Sequence, residues 1–361
     1  MKNEIQFKQL FLLLLVFTFS AVVTFGQNCG DINTDGSTNI VDALLVAQCY
    51  VGLTNCASSE IGDVNCDRQV NIVDALLIAQ LYVGLINSLN CCNTPTPSLL
   101  PFRIGISDIY ILKRQSLGAV DFAGDVGVDG VEIDMGPLRT AETFLENKLL
   151  DPVQAQEFLD LAVENGVVFS SIGMVGFLAQ DISTKDTLLT KMIPDTIQTM
   201  NNMGVKVAYL PIRGTNLKLN PDRRPAVVAQ LKGTGELAEA AGVIFGIETT
   251  LTGEEEVALI DEIGSPAIKS YFNFKNPLEE GRDLIEELKI FGRDRIVQIH
   301  CTDEDGELLE DNDDIDMEKV RDTLAEMGWS GWLVMERSRV SSMSHRESFT
   351  ANADYLRLFF Q

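Results

Sequence analysis

The chain has 361 residues, 45% of them hydrophobic, which is enough for a large core and more than one domain. Its 53 acidic residues against 28 basic ones give a formal net charge of -25 at pH 7. Because so acidic a surface repels phosphate groups, nucleic acids and anionic membrane surfaces are excluded as partners.

The first 26 residues have the pattern of a secretory signal peptide. Lys2 and Lys8 precede an apolar run from Leu10 to Val16, and a small residue, Gly26, follows. An uncleaved membrane anchor is the alternative, because the apolar stretch is close to spanning length. We expect residues 1–26 to be removed. The mature protein is then secreted or held at the cell surface (extracellular or periplasmic), without stable membrane insertion.

Cysteine usage agrees with export, because six of the seven cysteines lie in the first hundred residues. An even cluster in a small exported module favours disulfides, although the sequence leaves their pairing open. Cys301 stands alone in the second part of the chain and is predicted to be a buried thiol. The clustered cysteines are Cys29, Cys49, Cys56, Cys66, Cys91 and Cys92.

An internal repeat follows, in which the segment that begins at Gly30 recurs from Gly62. In each copy, oxygen-bearing side chains occupy the first, third, fifth, ninth and twelfth positions, which is the spacing of an EF-hand-type calcium loop. Two Asx-rich turns without an ion are the alternative, but two matched loops favour Ca²⁺. The predicted calcium ligands are Asp31, Asn33, Asp35, Asn39 and Asp42, then Asp63, Asn65, Asp67, Asn71 and Asp74.

Each loop runs into an apolar helix, and no EF-hand entry helix precedes it. Over about residues 29–90 this two-copy pattern resembles the type I dockerin family, and we assign residues 27–92 to a small all-α, dockerin-like, calcium-binding module. Arg68 stands where the first loop has Gly36, so the second loop is expected to bind Ca²⁺ more weakly, because glycine eases the turn there.

The resemblance to dockerins also implies a partner, a cohesin-domain protein. It places the recognition residues at the tenth and eleventh loop positions, which are Ile40 and Val41 in the first copy and Ile72 and Val73 in the second. Because both copies present the same residue pair, we expect either repeat to be able to face the partner.

Residues 93–101 form a short Pro/Thr linker, after which apolar strand patterns alternate with amphipathic helices over residues 102–361. Eight strands in this length predict an α/β fold, a (β/α)8 TIM barrel. A doubly wound open sheet is the rival, but no Gly-rich phosphate loop follows the first strand. The predicted strands are Ile104–Ile111, Gly130–Met135, Val167–Gly173, Val205–Ile212, Val243–Thr250, Ile268–Phe274, Ile296–Cys301 and Trp332–Arg337.

Polar residues end the last four predicted strands, where a TIM barrel carries its chemistry. They are Glu248, Asn273, His300 and Glu336. Any one of them alone could be an ordinary surface or salt-bridge residue, but four on successive apolar strands favour a common site. Glu132 and Asp134 on the second strand and Arg213 after the fourth are further candidates.

Four segments resemble the xylose isomerase-like barrels, the sugar phosphate isomerase/epimerase superfamily. They contain Glu248 in FGIET, Asn273 in YFNFKNP, His300 in QIHCTD and Glu336 in GWLVME. The resemblance implies one divalent ion, such as Mn²⁺, Mg²⁺ or Zn²⁺, held by these four residues. Glu248 and Glu336 would also be the catalytic acid/base pair. Asn273 stands where the family has Asp, which removes one negative charge from the site.

Together these observations predict an exported, metal-dependent sugar isomerase or epimerase that works through an enediolate and is attached by its dockerin to a cohesin partner. Export favours a neutral sugar, a sugar acid or an oligosaccharide fragment as the small carbohydrate substrate. A glycoside hydrolase is one alternative, because two barrel carboxylates can serve that chemistry. A non-catalytic sugar-binding or assembly protein is the other.

Overall fold

A computed structural model of the chain describes residues 30–33, 37–53, 62–65, 70–86, 89, 102–135 and 147–361. The chain divides into two compact units, Met1–Thr96 and Pro97–Gln361. The predicted signal peptide, the linker and five of the six clustered cysteines lie outside the described residues. The sixth, Cys49, takes part in a disulfide bond.

The first unit contains two matching helices, α1 (Ile40–Tyr50) and α2 (Ile72–Tyr82), that pack on each other. Each helix begins with the same capping box. The side chain of Asn39 or Asn71 accepts a hydrogen bond at the N-terminus, and an Asp in the first turn accepts one from that residue's own N–H. Buried Val46 and Ile78 contribute to the small core of the unit.

The second unit is a closed barrel of eight parallel strands in sequential order, as predicted. Strand β1 pairs with both β2 and β8, which closes the sheet. The strands are β1 (Arg103–Ser107), β2 (Gly130–Asp134), β3 (Val168–Gly173), β4 (Val207–Pro211), β5 (Ile244–Glu248), β6 (Ile268–Asn273), β7 (Ile296–His300) and β8 (Trp332–Met335).

Helices surround the barrel, and their apolar faces pack on the outer face of the sheet in one continuous core. No helix in the described ranges is long and apolar enough to cross a membrane. The helices are α3 (Leu117–Val126), α4 (Pro152–Asn165), α5 (Ile193–Met203), α6 (Arg224–Ala241), α7 (Gly253–Ile263), α8 (Lys275–Glu279), α9 (Leu284–Arg295), α10 (Met317–Met327) and α11 (His345–Phe360).

The alternation of strand and helix patterns also predicts helices over Leu188–Met203 and Leu278–Phe291, and the structure departs from both. The predicted helix Leu278–Phe291 is interrupted, because Gly281 adopts a positive φ of 67° and Asp283 caps a new helix, α9. The predicted helix Leu188–Met203 begins with a π-helical turn, Leu188–Met192, before α5. Both differences are local and leave the order of the barrel unchanged.

The first strand is also shorter than predicted, ending at Ser107 rather than Ile111. Buried Asp108 accepts hydrogen bonds from the backbone N–H groups of Gln115 and Asp134, which turns the chain away from the sheet. The carboxyl ends of the eight parallel strands together form one rim of the barrel, and β1 ends there at Ser107.

Candidate functional site

The four residues predicted to form the barrel site lie at one rim. Glu248, Asn273 and His300 are the last residues of β5, β6 and β7, and Glu336 follows β8 directly. All four are buried, with exposed fractions of 5% or less. Asn273 Nδ2 donates to Glu336 Oε2 at 3.0 Å, and His300 Nδ1 lies 3.4 Å from the same oxygen.

Glu248 is held by three donors from neighbouring strands and loops. The Tyr209 hydroxyl donates to its Oε2. Its Oε1 accepts from Arg213 Nη1 at 3.2 Å and from Asn276 Nδ2 at 3.0 Å. Arg213, predicted as a rim candidate, therefore belongs to the site through its ion pair with Glu248.

Glu132 joins the site from the other side of the barrel. It lies within β2 rather than at its end, and its carboxylate faces the barrel interior. His300 Nε2 is 3.2 Å from its Oε1, while Tyr271 and Ser171 donate to its Oε2 at 2.6 and 3.0 Å. His300 thus bridges two carboxylates, Glu132 and Glu336.

Asp134, the other candidate on β2, has a different role. It accepts from the backbone N–H of Val175 at 3.1 Å and forms an ion pair with Arg114. These contacts hold the loops above β2 and β3 in place.

The charges of this cluster depend on one another. Burial raises the pKa of Glu336 to about 7, with His300 opposing the rise and Glu248 and Glu132 adding to it. Burial alone would lower the pKa of His300, but Glu336 and Glu132 raise it to about 9. Burial would raise the pKa of Glu132, but the charge of His300 and the hydrogen bonds that Glu132 accepts from its neighbours lower it. At neutral pH, His300 is therefore an imidazolium and Glu336 is poised to exchange a proton.

The donor set does not suit a divalent ion as it stands. Asn273 Oδ1 accepts from the Lys275 N–H at 3.0 Å, so its NH₂ group, not its oxygen, faces Glu336. His300 Nδ1 makes no hydrogen bond and lies 3.4 Å from Glu336 Oε2, and only a neutral His300 would offer this nitrogen to a metal. In the described part of the chain, however, no three His, Cys, Asp or Glu side chains are placed to hold a metal ion. The prediction that Asn273 supplies a ligand oxygen disagrees with these hydrogen bonds.

Cations above the rim are paired with carboxylates. Lys275 Nζ lies 2.6 Å from Glu304 and 3.0 Å from Glu279, and Arg337 Nη1 lies 3.1 Å from Glu304. Arg339 likewise forms an ion pair with Asp305. These side chains give the described part of the mouth a mixed rather than a strongly positive character.

Two tyrosines of the site escaped the sequence analysis. Tyr209 on β4 and Tyr271 on β6 read as ordinary apolar strand residues, yet both point inward and their rings lie 4.7 and 4.4 Å from the ring of His300. The Tyr209 hydroxyl reaches Glu248 on the neighbouring strand β5, whereas the Tyr271 hydroxyl reaches Glu132 on β2 only because the barrel closes. The only signal in the sequence was a tyrosine within each of two mostly apolar strand patterns.

The described part of each repeat loop brings buried carboxylates and backbone together. Asp42 accepts from the N–H groups of Asn33 and Asn39, and Asp74 accepts from those of Asn65 and Asn71. Asp31, Asp42 and Asp74 are buried. In the first loop, buried carboxylates thus occupy both the first and the last position, which fits a hard cation such as Ca²⁺. The predicted ligands Asp35 and Asp67 lie outside the described residues. Asp63, at the first position of the second loop, is partly buried.

The predicted recognition residues form two matching apolar surfaces. Ile40 and Val41 are 47% and 48% exposed, and Ile72 and Val73 are 51% and 46% exposed. Leu44 and Leu76, one turn further along α1 and α2, extend each surface at 56% and 55% exposure. Each repeat thus presents the same three exposed side chains.

The barrel and its rim of buried polar residues define an α/β-barrel protein with a site built from its strand ends. The family model described as Xylose isomerase-like TIM barrel matches residues 120–358, and the chain belongs to that family. The model of the type I dockerin domain matches residues 29–81, so the chain combines a dockerin with this barrel.

The barrel is also similar to individual known proteins. A 2-epi-5-epi-valiolone 7-phosphate 2-epimerase from Actinoplanes sp. is 27% identical over 208 residues, which are 56% of this chain and 72% of that protein. The structure of D-psicose 3-epimerase from Clostridium cellulolyticum H10 aligns with a TM-score of 0.56 at 17% identity, covering 72% of this chain and 99% of that one. A 3-keto-D-glucoside 4-epimerase from E. coli aligns with the same score and identity, covering 71% and 99%. At 17% identity, the two structural alignments show a shared fold.

Proposed function

We propose that the barrel is an isomerase or epimerase that moves a proton on and off the carbon beside a sugar carbonyl. The observation that carries the proposal is the convergence of Glu248, His300 and Glu336 at one rim of a barrel of this family. The names of these relatives, which are epimerases, support the same reaction class.

Glu336 is the group that takes the proton. Its carboxyl is buried, and its pKa of about 7 places it near the value at which a general base works best at neutral pH. Asn273 fixes one of its oxygens with a 3.0 Å hydrogen bond. As the substrate C–H bond breaks, the proton passes to Glu336 and the electron pair enters the enediolate.

Glu248 is the second proton carrier, three strands around the rim from Glu336. A proton that Glu248 takes from water and delivers to the opposite face of the same carbon gives an epimer. Delivery to the neighbouring carbon, together with transfer of the hydroxyl proton between the two enediolate oxygens, gives an isomer. Tyr209, Arg213 and Asn276 fix its orientation. The two carboxyls recover their starting protonation through water, so solvent hydrogen enters the product.

The substrate we propose is a neutral sugar or an oligosaccharide fragment rather than a sugar phosphate. The described cations Lys275, Arg337 and Arg339 are already paired with carboxylates and leave little positive potential for a phosphate. The net charge of -25 also opposes an anionic substrate. The predicted export supports this choice, because phosphorylated sugars are mainly cytosolic.

The dockerin unit is proposed to bind Ca²⁺ in both loops and to attach the barrel to a cohesin domain outside the cell. The buried loop carboxylates and the paired apolar surfaces support these two roles. In this arrangement the enzyme acts where a scaffold gathers partners that release sugars from polysaccharide.

The experiment is proton NMR in heavy water on a panel of neutral sugars with the full chain in Ca²⁺. We expect loss of one proton signal beside the carbonyl, and a fall of at least about 100-fold in exchange rate for Glu336→Gln. Glu157→Gln, an exposed change on α4, is the matched control and should exchange like the wild type. Exchange unaffected by Glu336→Gln would contradict the assignment, and hydrolysis of oligosaccharides without exchange would favour a glycoside hydrolase.

A further inference from the structure

The amide of Asn273 is locked in one orientation at the site where the family resemblance expects a metal ligand. Its Oδ1 accepts from the Lys275 N–H, and its Nδ2 donates to Glu336. A rotated amide would set its NH₂ group against the Lys275 N–H and lose both hydrogen bonds. The position therefore offers a donor to the site, whereas a cation needs an acceptor.

Glu248 is occupied in a similar way. Each of its oxygens accepts at least one hydrogen bond, and one of the donors is the Arg213 guanidinium, which stays charged at any working pH. A metal at this carboxylate would lie beside that positive charge. Arg213 itself is 26% exposed and so is accessible from the mouth of the barrel.

The charges of the site point the same way. A set of Glu, Asp, His and Glu carries three negative charges to balance a divalent ion. Here Asn273 removes one of them and the Arg213 ion pair offsets another. The further carboxylate, Glu132, is paired with His300, so a single negative charge remains. Electrostatic attraction for a divalent cation is correspondingly weak.

We propose that this barrel has lost the resident metal ion of its family and uses protein groups in its place. The Arg213 guanidinium supplies the fixed positive charge, and the Asn273 amide supplies the hydrogen bond to Glu336 that keeps its orientation without a metal. The role of Arg213, which is to face the negative substrate oxygen, rests on the proposed function. The absence of a resident metal ion does not depend on that function.

The test is Mn²⁺ binding to the full chain, followed by electron paramagnetic resonance with excess Ca²⁺ filling the dockerin loops. We expect no Mn²⁺ site that depends on the barrel in the wild type. Asn273→Asp restores the third carboxylate and should gain one Mn²⁺ per chain, with affinity at least about 10-fold higher than the wild type. Asn201→Asp, an exposed change on α5, adds the same charge away from the site and should gain none.

Each result decides the proposal. A wild-type Mn²⁺ site that Glu336→Gln removes would overturn it, and this comparison needs no substrate and does not depend on Asn273→Asp folding. A folded Asn273→Asp variant that gains no site would overturn the role given to Asn273. Failure of sugar exchange with the predicted Mn²⁺ results would instead refute the proposed function and leave the metal inference standing.

Discussion

At the scale of single residues, the barrel rim is a set of buried charges that neutralise one another. Glu132, Glu248 and Glu336 are each within 4 Å of a cationic partner, either His300 or Arg213. Losing one member leaves a buried charge unpaired, which costs more than the pair contributes. The site is therefore expected to tolerate substitution poorly at every one of these positions.

A buried carboxyl just behind the rim gives a prediction on stability. Burial raises the pKa of Glu256 to about 7 from 4.5, against hydrogen bonds from Ser270 and Thr249. The folded chain thus keeps a proton that the unfolded chain releases above about pH 4.5. The free energy of unfolding must fall as pH rises from about 4.5 to about 7, by up to about 3 kcal/mol from this group.

Glu256→Gln should remove that dependence. Between about pH 5 and about pH 8, the free energy of unfolding should fall by on the order of 2–3 kcal/mol less in the variant than in the wild type. Urea unfolding at the two pH values measures the difference. Glu254→Gln, the exposed neighbour two residues earlier, is the control and should follow the wild type. Identical pH dependence in Glu256→Gln would show that the carboxyl ionises freely.

At the scale of elements, close packing between strands sets the position of the inward tyrosines. Gly246 on β5 leaves room for its neighbours, because a Cβ there would lie 2.8 Å from Val297 and 2.9 Å from Tyr271. Tyr271 in turn donates to Glu132. A larger residue at this position must move the strand or the ring, so packing and site geometry are coupled here.

Gly246→Ala should therefore lower the free energy of unfolding by about 1–3 kcal/mol, the usual cost of overpacking. Gly118→Ala is the matched control, because its Cβ would meet nothing closer than 3.4 Å and its φ is ordinary. Denaturant unfolding of both variants checks the prediction. Equal stabilities for the two would mean that β5 and β6 separate without cost.

The sequence contains the barrel more completely than it contains the site. Strand order and the rim positions of Glu248, His300 and Glu336 were predictable, because polar residues end otherwise apolar strands. The pairing of Glu132 with His300 was not, since the residues are 168 positions apart and meet only when the barrel closes. The orientation of Asn273 depends on one backbone N–H, which no residue pattern records.

At the scale of the whole molecule, two units of different kinds share one chain. The first carries duplicated apolar surfaces, and the second carries a site of buried polar residues at the strand ends. Because Ile40 and Val41 match Ile72 and Val73 in type and exposure, either repeat offers a partner the same contact. Two orientations on one cohesin are therefore expected.

Binding to a cohesin domain, measured by calorimetry in Ca²⁺, tests this expectation. The double variant Ile40→Asp, Val41→Asp should change the affinity by no more than about 3-fold, because the second repeat still binds. The double variant Ile72→Asp, Val73→Asp should do the same, because the first repeat still binds. All four changes together should cost at least about 100-fold, as loss of buried apolar anchors does. Val163→Asp, at an 81% exposed position on the barrel, is the control. Loss of binding from one repeat alone would contradict the duplicate surface.

The rim of the barrel is proposed to move a proton next to a sugar carbonyl without a resident metal. This can be measured as deuterium uptake into a neutral sugar by the full chain, stripped with a chelator and returned to Ca²⁺ alone. We expect uptake at one carbon at the untreated rate, with no increase on adding Mn²⁺. Uptake that appears only after Mn²⁺ is added would contradict the metal-free site, and no uptake under either condition would contradict the proposed reaction.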